Sequence, residues 1–307
     1  MIRVTENAAW AEFEPRLSVV MPFFRYDPIP LLAILDQQAS EAGEAEIVAL
    51  DDGGGDKALA KRVAEFVKTM KTPTRLILLS GNEGRAKGRN RLIENARARH
   101  ALLIDCDMRP DSPDYLKRYL ELVDEDVPVA FGGFSVDSME ADADLELHRA
   151  MQLRAECLPA RVRVLNPEKY VYTSNLLMRR DVFQAEAFDE GFSGWGWEDV
   201  EWGMRVAARF GVLQIENTAM HLGLDTAAVL AGKYEQSVAN FARVVASHPE
   251  IVSTYPSYRM ARVLKRLPML PTVKAGLKAV ALQARAPLIA RIFAMKAYRA
   301  ALYAEVV

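Results

Sequence analysis

The chain has 307 residues and a mass of 34.3 kDa; half of it is apolar and 26% is charged. That composition fits one large α/β domain, or a domain with an appendage, and excludes a disordered or fibrous protein. The formal net charge of −2 conceals a split: from Tyr255 onward there are ten basic residues and one acid, whereas the preceding 254 residues hold 29 basic and 40 acidic ones. So sharp a division implies two parts with different partners.

No stretch free of Asp, Glu, Lys and Arg exceeds the ten residues Val127–Val136, about half of what a membrane-spanning helix needs. The N-terminus, MIRVTENAAWAEFEP, has no basic start followed by an apolar run, so no export signal is expected. Two cysteines, Cys106 and Cys157, are too few for a disulfide framework, and a cytoplasmic location is expected.

The first elements alternate. Leu17–Pro22 predicts a buried strand, and Ile29–Ala42 predicts a helix with Pro28 and Pro30 at its entry. Glu46–Leu50 is a second strand ending in the turn Asp51-Asp52-Gly53-Gly54-Gly55. Lys57–Met70 follows as a helix, Arg75–Leu79 as a strand, Arg85–Arg99 as a helix and Ala101–Ile104 as a fourth strand. This rhythm defines right-handed βαβ units and a mostly parallel sheet with helices on both faces. Farther on, Tyr115–Val123 reads as a helix, and Val129–Phe134 and Tyr170–Met178 read as strands. The loop Gly191–Trp197 leads into a helix over Glu198–Arg209 and a late strand over Val212–Ile215. One long helix is expected over Asp225–Ser247, with Gly232 as its weak point. Past Pro256, prolines 268, 271 and 287 punctuate basic amphipathic helices.

In an open parallel sheet, ligands bind beyond the carboxyl ends of the strands, and there the acids cluster. Asp51 and Asp52 follow the second strand, and Asp105 and Asp107 follow the fourth. In extended chain, positions i and i+2 face one side, so Asp105 and Asp107 are expected to converge while Cys106 turns inward. Adjacent carboxylates repel unless a cation lies between them. Carboxylate oxygens suit Mn²⁺ or Mg²⁺, ions that also bind substrate phosphates. A D-x-D pair alone is weak evidence. The run from Asn82 to Asn90 strengthens it by placing Arg85, Lys87 and Arg89 at a loop-to-helix junction, where anions are favoured. The plainer alternative puts these cations on a solvated helix face.

Together VVMPFFRYD, LDDGGGD, NEGRAKGRN and LLIDCDMRP, in this order over residues 17–110, resemble the nucleotide-sugar half of glycosyltransferase family 2, inverting enzymes of the GT-A fold. Gly194-Trp195-Gly196-Trp197-Glu198-Asp199 resembles the W-G-x-E-D segment of β-1,4-galactosyltransferases, chondroitin-polymerase-type domains and polypeptide N-acetylgalactosaminyltransferases, although galactosyltransferases usually carry glycine where Trp197 stands. The resemblance covers residues 17–225 and implies a catalytic domain over residues 1–225, with 226–307 as a helical, basic extension.

The same resemblance implies that Pro22, Phe23, Arg25, Asp51 and Asp52 cradle a uridine, with either Asp51 or Asp52 accepting from the base N–H. Tyr172, Thr173, Ser174 and Asn175, at the end of a strand, would line the donor-sugar pocket, and His221 would complete the metal site. Asp199 would be the catalytic base, with Glu198 holding hydroxyls, although two acids opening a helix also stabilise its dipole. Trp195, in a glycine loop ill suited to a core, is expected to stack on a sugar ring. The function expected is transfer of a hexose or N-acetylhexosamine from a UDP-sugar, UDP-galactose or UDP-N-acetylgalactosamine ahead of UDP-glucose, to a bacterial surface glycan or lipid-linked acceptor. The rivals are a catalytically inactive carbohydrate-binding scaffold and, ranked lower, a nucleotidyltransferase, which would need a glycine-rich basic loop where Pro22-Phe23-Phe24-Arg25 stands. For the basic tail the choice is between peripheral contact with the inner face of the cytoplasmic membrane and packing on the domain or on a second copy. Nucleic acid is not expected, because the acidic body would repel a polyanion.

Overall fold

The computed structural model describes residues 2–11, 13–136 and 142–307. Its strands and helices, in chain order, begin with β1 (Ile2–Glu6), β2 (Leu17–Phe23), α1 (Ile29–Ala42), β3 (Ala45–Asp51), α2 (Lys57–Thr69), β4 (Thr74–Leu79), α3 (Arg85–Asn95) and β5 (His100–Ile104). The middle of the chain forms β6 (Met108–Pro110), α4 (Tyr115–Asp124), β7 (Val129–Phe131), β8 (Phe134–Ser135), α5 (Glu146–Ala155), α6 (Ala160–Arg163), β9 (Asn175–Arg179) and α7 (Arg180–Ala185). Then come α8 (Glu198–Phe210), β10 (Leu213–Gln214), β11 (Ala219–His221), α9 (Ala227–Gln236), α10 (Val238–Ser247), α11 (Pro249–Val252), α12 (Pro256–Leu264), α13 (Leu270–Leu282) and α14 (Leu288–Tyr303).

An eight-stranded sheet in the order β1-β4-β3-β2-β5-β9-β7-β10 forms the frame, and a small sheet, β6-β11-β8, sits beside it. The central strands β4, β3, β2 and β5 are parallel, as the alternating rhythm requires. The flanks are mixed, because β1 and β9 run antiparallel to their neighbours. No helix among the described residues is long and apolar enough to cross a membrane.

Several expected boundaries shift, each for a local reason. The strand expected over Val129–Phe134 divides into β7 and β8 at Gly132-Gly133; Gly133 has φ +91°, and a Cβ on Gly132 would lie 2.3 Å from the Tyr119 hydroxyl. The strand expected from Tyr170 pairs only from Asn175, because Tyr170, Tyr172 and Ser174 turn to a cavity while Val171 and Thr173 are buried. The long helix breaks at Ser237 rather than Gly232. The Ser237 hydroxyl donates to the Tyr234 carbonyl at 2.8 Å, drawing off a backbone acceptor as serine does.

Two apolar clusters result. One joins the large sheet to its helices. The other combines Leu147, Phe192, Trp197 and Met204 with Leu230, Phe241, Met295, Tyr298 and Tyr303. It draws on residues from both sides of position 225, and α14 is its central rod.

Candidate active site

The carboxyl ends of β2, β3 and β5 place the expected nucleotide residues side by side. Phe23 is paired with Asp51 in the parallel ladder, and the Asp52 N–H donates to the Phe23 carbonyl at 3.0 Å. Arg25, with φ 55°, donates from Nε to the Gly54 carbonyl at 3.2 Å, and Pro22 is half-buried at the end of β2. Asp51 accepts from Gly54 N–H at 2.9 Å. Asp52 spends both oxygens on the neighbouring loop, accepting from Glu83 N–H (2.8 Å), Gly84 N–H (3.1 Å) and the Asn82 amide (2.9 Å). Burial pushes both carboxyls up, against the backbone N–H groups that hold them down.

Beside this shelf opens a cavity of about 580 Å³, lined by Arg85, Asp105, Asp107, Trp195, Glu198, Asp199 and His221 among others. Asp105 and Asp107 reach it from a turn between β5 and β6, closed by Met108 N–H donating to the Asp105 carbonyl at 3.1 Å. That corrects the extended geometry expected of them. Their partners differ as well. Asp105 lies 3.3 Å from Arg89 Nη2 and 3.8 Å from Arg85 Nη2, whereas Asp107 Oδ2 lies 3.5 Å from His221 Nε2.

The Asp107–His221 pair follows from antiparallel pairing of β6 with β11, which matches His221 to Met108. The fit is tight: a Cβ on Gly223 would fall 2.1 Å from Asp107 Oδ2. On its far side, His221 Nδ1 faces the Gln152 amide at 2.9–3.2 Å. Burial lowers the imidazole and Asp107 overrides it, so His221 titrates above its ordinary value; Asp107, raised by burial, is held below its own by His221 and Arg85.

The donor set suits a divalent ion. Among the described residues no three His, Cys, Asp or Glu side chains close a cage. One carboxylate, and one imidazole whose far nitrogen is held by the Gln152 amide, leave room for the phosphate and water oxygens that Mn²⁺ or Mg²⁺ keeps.

Glu198 is 2% exposed and bound to Arg85 and Arg89, the latter from Nη1 at 2.9 Å. Committed to two guanidiniums, it positions cations and corrects the hydroxyl-holding role expected of it. Arg85 and Arg89 raise its acidity despite burial, leaving its pKa at about 2. Asp199, one residue on, behaves oppositely. Burial, with Glu198 beside it, pushes its carboxyl up to about 7. Such a value suits a proton acceptor at neutral pH.

Four expected residues are not brought in, the first being Thr173, which is buried and does not line the cavity. Lys87 is exposed on the outward face of α3, two positions from Arg85. Arg89 is buried inside its ion pairs and does not line the cavity. Asn175 opens β9 in full burial; its Oδ1 accepts from the Tyr115 and Tyr119 hydroxyls at 2.6 Å, and its Nδ2 donates to Gly133 and Asn217 carbonyls at 2.8 Å. It is a structural hub rather than a pocket wall.

The two loop tryptophans part ways. Trp195 lines the cavity beside Tyr234, their rings 5.9 Å apart. Trp197, in the same glycine loop, is buried at φ +77°, the left-handed region that favours glycine. Its indole N–H donates to the Tyr303 hydroxyl at 2.9 Å. Sequence patterns had not signalled Gln152, Glu156, Tyr234 or Arg299, which reach the cavity from α5 and its C-terminal end, α9 and α14.

The conserved-family profile of glycosyl transferase family 2 matches residues 18–186. The chain belongs to that family, and the protein is a glycosyltransferase of GT-A fold. Among solved structures it is similar to the *Staphylococcus aureus* TarS fragment 1–349, at 17% identity over 92% of this chain and 89% of that one, with a TM-score of 0.52. It is also similar to the mannosyltransferase PcManGT of *Pyrobaculum calidifontis*, solved with GDP-Man and Mn²⁺, at 15% identity over 96% and 88%, with a TM-score of 0.59. The TarS fragment with UDP-GlcNAc aligns at 16% identity over 92% and 89%, with a TM-score of 0.54. No curated protein sequence matches the chain.

Proposed function

We propose that the protein is an inverting, divalent-metal-dependent glycosyltransferase that moves a hexose or N-acetylhexosamine from a UDP-sugar to a hydroxyl of a glycan or lipid-linked acceptor. The observation that carries this is the opening of Asp199, with its pKa of about 7, onto the same cavity as the Asp107–His221 pair. Nucleotide-sugar donors, though different sugars, are present in the TarS and PcManGT complexes. The Trp195–Asp199 segment favours galactose or N-acetylgalactosamine.

Uridine lies along Pro22, Phe23 and Arg25, and Asp51 accepts from the uracil N–H, because both oxygens of Asp52 already hold the Asn82–Gly84 loop. The diphosphate extends toward Arg85, Asp107 and His221; Asp107 and His221 would hold a divalent ion, which would supply Lewis-acid neutralisation of the leaving group. Asp199 takes the proton of the acceptor hydroxyl as its oxygen attacks the anomeric carbon opposite the diphosphate. The C1–O bond to the diphosphate breaks, UDP departs, and the configuration inverts. Trp195 offers a ring face to a sugar. The enzyme works at an anionic membrane surface, reached through the exposed cations of α12 and the turn that follows it.

The test is UDP or GDP release with Mn²⁺, using UDP-galactose, UDP-N-acetylgalactosamine, UDP-glucose, UDP-N-acetylglucosamine and GDP-mannose in turn. Slow hydrolysis of one UDP-sugar, abolished by chelation, is expected. Absence of both turnover and binding for every donor would favour the inactive scaffold.

A further inference from the structure

The cavity has a second half, walled by α9, α12 and α14 and by the segment around Lys169, whose charge the donor chemistry does not use. Lys169, Lys233, Lys296 and Arg299 line it, against the acids Glu156 and Asp225. Asp225 is already satisfied by Lys233, at 2.6 Å. Burial pushes the Glu156 carboxyl up, which favours its neutral form. Lys169, Lys296 and Arg299 have no carboxylate within ion-pair distance among the described residues, whereas Lys233 is paired with Asp225.

Arg299 is the most constrained of them. Its Nε donates to the Tyr303 hydroxyl at 3.0 Å, and its guanidinium carbon sits 5.0 Å from the Tyr234 ring centre and 5.3 Å from those of Trp197 and Tyr303. Three rings fix the fork in orientation, the Tyr234 hydroxyl meets it as well, and the guanidinium lines the cavity. A planar guanidinium held this way matches the paired oxygens of phosphate or carboxylate. Glu156 balances part of this charge through its attraction to Arg299 and Lys296, but four cations against two acids leave a positive surplus on the wall, and an anion suits it.

We propose that this half of the cavity binds an oxyanion carried by the acceptor, a phosphate or a uronate carboxylate close to the attacking hydroxyl, with Arg299 and Lys296 as its principal contacts. The proposal rests on the transferase function above and names the chemical class of its acceptor. It also gives the C-terminal extension a part in recognition, since α14 supplies both side chains.

The test loads the protein with UDP and Mn²⁺, confirms that binding by calorimetry, and then titrates in methyl glucoside, glucose 6-phosphate or glucuronate. A charged hydrogen-bonded contact is worth about 10- to 100-fold in affinity. Glucose 6-phosphate or glucuronate should therefore bind at least about tenfold tighter than methyl glucoside; whichever of the two wins identifies the oxyanion. Arg299→Gln should erase the preference while leaving UDP affinity intact. Because Arg299 also packs on rings, exposed Lys296→Gln serves as the second variant, with a partial loss expected. Equal binding of neutral and anionic sugars, absence of binding by all three, or an undiminished preference in both variants overturns the proposal while sparing the donor site. Failure of UDP itself to bind overturns the transferase function and the proposal together.

Discussion

Asp199 and Glu198 are adjacent acids with opposite fates, and their surroundings explain why. Glu198 faces two guanidiniums and remains ionised; Asp199 receives the field of Glu198 with less compensation, and its carboxyl rises to about 7. A base must be deprotonated to act, so kcat/KM should rise with pH through about 7 and level off above it. Asp199→Asn should spare UDP-sugar affinity and lower kcat by about 10²–10⁴-fold, read from pH-dependent kinetics beside calorimetry. A collapse of donor affinity would instead make Asp199 a binding residue. Asn175 illustrates the opposite case. Its four buried hydrogen bonds tie α4, β9 and the Gly132–Gly133 corner together. Asn175→Ala leaves two tyrosine hydroxyls and two carbonyls short of partners and should cost about 2–4 kcal/mol, measured by denaturant unfolding, with the donor site's residues untouched.

At the scale of elements, the short pairing of β6 with β11 brings Asp107 and His221 together. Gly223→Ala places a methyl group where Asp107 Oδ2 now lies. Mn²⁺-dependent UDP affinity should fall about 10- to 100-fold, as when ligand orientation is lost, while circular dichroism and metal-free stability stay close to wild type. Unchanged affinity would show that Asp107 does not hold the ion. The alternating first half was legible from sequence because βαβ units carry both local periodicity and turn residues; Ile29–Ala42 matches the expected helix end for end. Asp105, Asp107, Asp199 and His221 could be singled out because short motifs carry them. Asn175 was misread because a polar residue in a family motif looks like a ligand contact, and only the tertiary fold reveals two tyrosines 56 and 60 residues away. Arg299 was invisible for a related reason: nothing in its own helix marks it apart from nine other tail cations, and two of the three rings that cage it, Trp197 and Tyr234, come from distant segments.

Across the whole molecule, the basic tail resolves into distinct populations. Arg291 is buried and donates to the Ala281 carbonyl, Arg299 lines the cavity, and Lys274 and Lys278 pair with Glu305 and Glu235. Packing against the domain therefore accounts for α14. It does not account for α12 and the turn after it, where Arg259, Arg262, Lys265 and Arg266 are exposed beside Val263 (63% exposed), Leu267 and Met269 (62% exposed). Ile289 and Phe293, on the outer face of α14, add exposed apolar area. Cations interleaved with apolar side chains suit the interface of an anionic bilayer, where each basic residue contributes about 1 kcal/mol. Removing the whole tail would strip α14 from the second apolar cluster and leave Trp197 without the Tyr303 hydroxyl, so truncation confounds docking with unfolding. Substitution is the cleaner test. Arg259, Arg262 and Arg266, all changed to Gln, should lower the partition onto phosphatidylserine-containing liposomes by about 10²-fold, given about 1 kcal/mol for each. Val263→Ser with Met269→Ser should weaken it further, and donor hydrolysis should stay unchanged in both variants. Wild-type binding should fade with added salt, because the attraction is screened beyond about 8 Å at physiological ionic strength. Equal co-sedimentation of wild type and triple variant, or none by wild type, would remove the membrane from this protein's account and leave the exposed face to a second copy of the chain.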